Sequence, residues 1–415
     1  MNKFLGYECS LCGEKYTPDE VTYTCPADGG NLNVLLDYEA IKEKYQPDDI
    51  TCRTETSLWR YLPLLPVSNP GGEETPLYAA GWTPTYSLPR LAEKLGLDNL
   101  WLKDESSNPT ASFKDRASAI LVARAKEIGA EVIVTASTGN AGAALAGMCA
   151  AVGQKAVIFA PKTAPVAKVA QLLVFGAKVM LVDGTYDDAV ELAVKAANEF
   201  GWYCRNTGYN PFTVEGKKTA AFEIWEWSLK AKVLGETDKP LTVFVSVGDG
   251  NIISGIHKGF KDLVALGWMK QMPRIIGVQA EGSAAIANAY NAGTEEITAI
   301  SATTSADSIS VDMPSDGVRA LRAATETNGQ YILVNDDAII ASIAELGKVG
   351  VFAEPAGATA YAGLVEAISK GVVNRDDPIL VVNTGSGLKD VNAALKAVTE
   401  APIINPTLEA VKENL

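Results

Sequence analysis

The chain has 415 residues, 47% of them hydrophobic, enough to bury a large core spread over two or three domains. Lys and Arg number 36 against 50 Asp and Glu, a net charge of −14 that repels nucleic-acid backbones and anionic membrane surfaces, so neither is an expected partner. Residues 1–12 carry no apolar signal core, and no run reaches the ~18 uncharged apolar residues of a membrane span, so the cytoplasm is the expected location.

Residues 1–60 read as a small module of their own, with Cys9-x2-Cys12, then Cys25-Pro26 and Gly29-Gly30. Two CxxC knuckles would give the four thiolates of a zinc ribbon, but Asp28 stands where the fourth Cys belongs. The stretch reads as a degenerate zinc ribbon held by its turns and a small core, with zinc on Cys9, Cys12, Cys25 and Asp28 as the alternative. The metal stays undecided. Six cysteines in so long a chain are no secreted disulfide framework, and reduced thiols are expected. The single histidine, His257, rules out multi-His metal sites and leaves proton transfer mainly to lysine, carboxylate or a cofactor.

From about Leu100 onward, β-branched runs alternate with Ala-rich stretches: EVIVTAS, KAVIFAP, AKVMLVDG, TVFVSVGDG, RIIGVQAEG and ILVVNTGSG. The pattern predicts βαβ units in an α/β fold, where helices cover both faces of a parallel sheet and ligands gather at the strand C-terminal ends.

Several loops in this region carry chemistry. Asn108-Pro109-Thr110-Ala111-Ser112-Phe113-Lys114-Asp115-Arg116 is a turn leading into a helix, with Lys114 in the first turn. The positive end of a helix dipole disfavours a protonated amine there, as a Schiff-base lysine requires; a solvated surface lysine is the competing reading. Ser137-Thr138-Gly139-Asn140 follows a buried run and opens an Ala-rich helix, so main-chain N–H groups and hydroxyls offer an anion pocket, or simply an N-cap. Gly248-Asp249-Gly250-Asn251-Ile252 has the composition of a phosphate cradle, yet is neither a P-loop nor a clean GxGxxG. At the last strand end, the Thr384 hydroxyl suits a ring nitrogen or a turn.

Together these pieces resemble the fold-type II family of pyridoxal-phosphate enzymes over roughly residues 80–400. PTASFKDRA is similar to the PTGSFKDRG of the threonine synthases within that family. Phe175-Gly176-Ala177, Tyr186-Asp187-Asp188-Ala189, Glu215-Gly216-Lys217-Lys218-Thr219 and Glu354-Pro355-Ala356-Gly357-Ala358 stand in the same order, after a ribbon followed by LWRYLPLLP. The resemblance implies a tryptophan synthase β-like fold of two three-layer α/β domains, with a large domain from 61–105 and 230–405, a small one over 106–229, a tail at 406–415, and a homodimer.

It also implies that Lys114 is catalytic and holds pyridoxal 5′-phosphate as a Schiff base. Asn140 would meet the phenolic oxygen, Gly248, Asp249, Gly250, Asn251 and Ile252 the 5′-phosphate, and Thr384 the pyridine nitrogen. Ser137, Thr138 and Gly139 would bind the substrate carboxylate. The implied reaction converts O-phospho-L-homoserine and water to threonine and phosphate; β-elimination or β-replacement on threonine, serine or O-phosphoserine is the alternative. A non-catalytic cofactor carrier is a further reading, against which the intact KDR and the complete loop set argue. Ala111 and Ala117 depart from glycines of the lysine motif, and Thr213 stands near where some threonine synthases carry an arginine for the substrate phosphate. Lys218, Arg116 and Arg205 are the candidates to replace that charge.

Overall fold

A computed structural model describes residues 3–233 and 239–415. Three short strands, β1 (Phe4–Cys9), β2 (Lys15–Tyr16) and β3 (Leu32–Leu36), form an antiparallel ribbon in the order β2-β1-β3. Then come β4 (Thr85–Ser87) and β5 (Leu100–Asp104), followed by β6 (Val132–Ala136), β7 (Lys155–Pro161), β8 (Lys178–Val182) and β9 (Tyr203–Cys204). The last strands are β10 (Thr242–Ser246), β11 (Arg274–Ala280), β12 (Gln330–Val334) and β13 (Ile379–Asn383). They build a four-stranded sheet in the order β8-β7-β6-β9 and a six-stranded one in the order β12-β11-β10-β13-β5-β4. Every pairing in these two sheets is parallel except β4 with β5, at the edge.

The α/β class read from the sequence is the one that forms, and each apolar run singled out there contains a strand. β6, β10 and β13 are buried at every position, as expected of strands covered on both faces. Most of the strands not foreseen are short or carry charge, but β3 and β12 are five residues long and uncharged. β5 ends in Lys103 and Asp104, which look like loop residues, yet Lys103 is buried because its Nζ meets Glu223 Oε2 at 2.6 Å.

The cysteine-bearing ribbon packs directly on the rest of the chain. Phe4 meets Phe212 edge-on with ring centres 5.6 Å apart, and Tyr23 stacks on Tyr209 at 4.5 Å. The Tyr23 hydroxyl accepts the Cys204 N–H at 2.9 Å, fixing the ribbon to β9. At the other end of the chain, the helix Leu408–Glu413 buries no residue. No helix among the described residues is long and apolar enough to cross a membrane.

Because the strands are parallel, the loops leaving β6, β10 and β13 emerge at C-terminal ends, the edge where open α/β sheets gather ligands. Two cross-loop bonds tie the lysine segment to the loop after β13. Phe113 N–H donates to Thr384 O at 2.9 Å, and Ser386 N–H donates to Ala111 O at 3.1 Å.

Candidate active site

Lys114 is the first residue of the helix Lys114–Glu127. The turn before it is held by Asp115, whose carboxylate accepts from Thr110 N–H (2.6 Å) and Thr110 Oγ1 (2.5 Å). Ala111 lies at φ +63°, in the left-handed region that suits the glycine of the related motif better, so the turn carries some backbone strain. Gly216 packs on the backbone at Arg116 and Ala117, where a Cβ would run into Arg116 O and fall 2.6 Å from Ala117 Cα, so the close approach of the two helices requires glycine at 216. Burial around the Lys114 amine pushes its pKa below the usual lysine range; Asp249 and Glu354 oppose the shift and Arg205 adds to it. An amine so placed is available as a base or nucleophile nearer to neutral pH.

Lys114 opens onto a cleft whose walls bring together the residues the sequence grouped around the cofactor: Asn140, Gly248, Asp249, Gly250, Asn251, Ile252 and Thr384. Thr138 and Gly139 line an adjoining cleft that shares Asn140 and Glu354 with the first. Ser137 stands half-buried beside them, its N–H given to Phe159 O at 3.1 Å.

The shape and charge of the first cavity fit a phosphorylated pyridine. The helices Asn140–Val152 and Asn251–Ala265 begin at Gly139 and Gly250, and neither has a side chain capping its first amides, which leaves N–H donors at the positive ends of two dipoles. Gly250 sits at φ +88°, where a Cβ would come within 2.6 Å of Asp316 O and Ala320, so the close approach of this loop requires glycine. Asn251 is set by donation from its Nδ2 to Asp316 Oδ2 at 2.7 Å, and Asp316 is in turn gripped by Arg319.

Two fully buried basic residues stand behind these loops, lining neither cavity. Lys217 Nζ donates to Asn251 Oδ1 at 2.5 Å, and burial, with Lys114 and Arg205 adding to it, drives its pKa well below the ordinary value. Arg205 gives Nη1 to Thr207 Oγ1 at 2.7 Å, but its buried Nε and Nη2 have no partner. Burial lowers the Arg205 pKa to about 10. Unpaired buried guanidinium nitrogens are costly unless an anion joins them.

The other proposed cations are committed elsewhere. Arg116 is fully buried, with Nε on Glu105 Oε2 (2.6 Å), Nη1 on Glu223 Oε1 (2.5 Å) and further bonds to Thr219 and Thr83. Lys218 pairs with Glu215 (2.6 Å) and Asp262 (2.7 Å). Thr213 turns its hydroxyl onto Asn210 O at 2.8 Å inside the core. His257 is buried on the helix Asn251–Ala265 but lines neither cavity; its Nε2 lies 3.4 Å from Glu326.

Sequence reasoning assigned no role to Glu354 or Lys217, although both lay in segments it had marked. Glu354 accepts from Asn140 Nδ2 at 2.7 Å, and burial, opposed by that bond and by Lys389 and Lys114, raises its pKa to about 7. A raised carboxyl pKa means that the native cofactor-free state holds a proton the unfolded state has lost, so stability falls as pH rises from about 4.5 to about 7. Glu354→Gln is therefore expected to stabilise the cofactor-free protein at pH 8, by at most about 3 kcal/mol, and hardly at pH 4. Urea unfolding of both proteins at the two pH values checks the sign; a glutamine variant less stable at pH 8 would contradict it.

Comparison with known proteins agrees with this geometry. The profile of the family described as "Pyridoxal-phosphate dependent enzyme" matches residues 77–385. A threonine synthase of Methanocaldococcus jannaschii is 38% identical over 400 residues, covering 95% of each chain. One of Methanosarcina acetivorans is 36% identical over 98% of this chain and 97% of the relative. Among solved structures, the processed form of threonine deaminase isoform 2 from Solanum lycopersicum superposes with a TM-score of 0.65 at 23% identity, covering 86% of this chain and 95% of that one. Maize serine racemase gives 0.63 at 24%, over 74% and 88%. At those identities the superpositions speak for the fold alone.

Proposed function

The chain belongs to the pyridoxal-phosphate-dependent enzyme family, and from that premise we propose that it acts as a threonine synthase, turning O-phospho-L-homoserine and water into L-threonine and phosphate. It is a lyase of amino-acid biosynthesis that uses pyridoxal 5′-phosphate. The observation that carries the reading is a lysine amine of lowered pKa opening onto a cavity lined by the glycine-bearing loop Gly248–Ile252, on a chain similar over 95% or more of its length to two threonine synthases.

When bound, pyridoxal 5′-phosphate supplies the electron sink that acidifies the substrate's Cα and Cβ protons. Lys114 would carry it, Asn140 would face its phenolic oxygen and Thr384 its ring nitrogen. The loop from Gly248 to Ile252, with Lys217 behind Asn251, would take its 5′-phosphate. Thr384 is a neutral hydroxyl and leaves the ring nitrogen unprotonated more readily than a carboxylate would. Ser137, Thr138 and Gly139 would hold the substrate carboxylate.

Lys114 then does the proton work that the absence of a nearby histidine leaves to it. Its amine takes the proton from substrate Cα and next from Cβ, phosphate leaves Cγ, a proton returns to Cγ, water adds at Cβ, and a proton last returns to Cα. The two adjoining cavities share Asn140 and Glu354. A homodimer in the cytoplasm completes the proposal.

Arg205 is the cation we assign to the substrate phosphate, since it alone of the three candidates has unpartnered buried nitrogens. Arg205→Leu is expected to raise KM for O-phospho-L-homoserine about 10–100-fold, the worth of one or two hydrogen bonds to a charged group. Cofactor affinity, followed by absorbance titration, should change much less. An unchanged KM would move the phosphate site elsewhere.

Offering the purified enzyme threonine, O-phosphoserine and O-phospho-L-homoserine separately tests the reaction class. Phosphate and threonine from the last alone support the proposal; 2-oxobutanoate from threonine or pyruvate from O-phosphoserine as the main product would replace it with a β-eliminating activity.

A further inference from the structure

Away from the cofactor cavity, Cys9, Cys12, Cys25 and Asp28 bring one donor atom each to within 4.8 Å of one another. The spacings are those of a tetrahedron around a small ion. With Zn–S bonds of about 2.3 Å and a Zn–O bond of about 2.1 Å, neighbouring sulfurs should lie about 3.8 Å apart and sulfur and oxygen about 3.6 Å. Cys12 Sγ and Cys25 Sγ are 3.8 Å apart, and Cys9 Sγ lies 3.3 and 3.6 Å from the two Asp28 oxygens.

The two halves of the cluster also repeat each other around their ligands. In the first, the N–H of Leu11 donates to Cys9 Sγ at 3.3 Å. In the second, the Gly30 N–H donates to Asp28 Oδ1 at 2.8 Å. Gly30 thus does for Asp28 what Leu11 does for Cys9, each two residues after its ligand. Asp28 holds the place of a fourth cysteine in a knuckle that is otherwise whole. Gly30 cannot be larger, since a Cβ there would lie 2.7 Å from Cys9 Sγ and 2.9 Å from Asp28 Oδ1.

We propose that Cys9, Cys12, Cys25 and Asp28 form a closed, structural zinc site. The ion displaces the three thiol protons, so three thiolates and one carboxylate surround Zn²⁺ with a net charge of −2 and no open position for catalysis. Its effect is on placement. Next to the ligands, Ser10 O accepts from Arg322 Nη1 at 2.5 Å, and Asn31 Nδ2 donates to Gly208 O (2.8 Å) and Ser315 O (2.9 Å). Ser315 Oγ in turn donates to Asp249 Oδ1 at 3.1 Å, so the metal fixes a ribbon that braces the segments carrying Arg205 and Asp249.

The test is metal analysis of the full-length protein, purified in reductant without added metal, followed by exchange with cobalt. One zinc per chain is expected, with tetrahedral thiolate–cobalt bands after exchange, and loss of the metal in Cys12→Ser, a substitution at an exposed position that the core tolerates. Asp28→Cys should keep the zinc and raise the thiolate-to-cobalt charge-transfer intensity by roughly a third, from three thiolates to four. No zinc even after incubation with excess metal, a disulfide between Cys12 and Cys25 in the native protein, or full retention of zinc in Cys12→Ser would each overturn the proposal.

Discussion

Lys114→Ala is expected to lower turnover of O-phospho-L-homoserine by at least about 10⁴-fold and to abolish the visible absorbance of lysine-bound cofactor. The size of the effect follows from how many tasks converge on this amine. No histidine lines either cavity, and Glu354, a buried carboxyl group that lines both, already accepts from Asn140. Stability should hardly suffer, because the amine's burial opposes its charge and alanine removes that cost. The cofactor should still bind through the phosphate loop, only more weakly. Turnover within tenfold of the parent enzyme would remove Lys114 from the mechanism.

Arg116→Leu is expected to act through the fold, costing about 3–5 kcal/mol, since it strands two buried carboxylates. Glu105 and Glu223 both lose their main partner; burial pushes Glu223 up, and Arg116 together with Lys103 outweighs it to hold the carboxyl near 2. The same cluster fastens Trp82 N–H and Thr83 to the helix Thr219–Lys230 through Glu223, so the damage spreads between segments far apart in the chain. Urea unfolding measures the loss directly. Were Arg116 instead the ligand of the substrate phosphate, the variant would unfold at nearly the parent's urea midpoint and show its defect in KM.

What could be read from the sequence were features carried within a few residues. Runs such as ILVVN declare a buried strand by themselves, and the glycine-bearing turn at Gly248 to Asn251 falls, as its composition suggests, between a strand and a helix. The roles of charged residues could not be read this way. Lys103 is buried at the end of β5 against Glu223, which is 120 positions away. Glu354 reaches Asn140 across 214 positions, and Lys217 reaches Asn251 across 34. Arg116, Lys218 and Arg205 were equal candidates in the sequence, and only the carboxylates folded against the first two separate them from the third. Asp28 broke the expected cysteine pattern, and its fit became visible only when the Gly30 amide and the three sulfurs were seen around it.

The most direct test of the reaction is turnover of O-phospho-L-homoserine in water enriched in oxygen-18, with both products analysed by mass. The account predicts threonine and phosphate in equal amounts, with the heavy oxygen in the threonine hydroxyl and none in the phosphate, since the bond broken is between Cγ and oxygen and water enters at Cβ. Heavy oxygen in the phosphate, with homoserine as the other product, would mean attack at phosphorus and would contradict it.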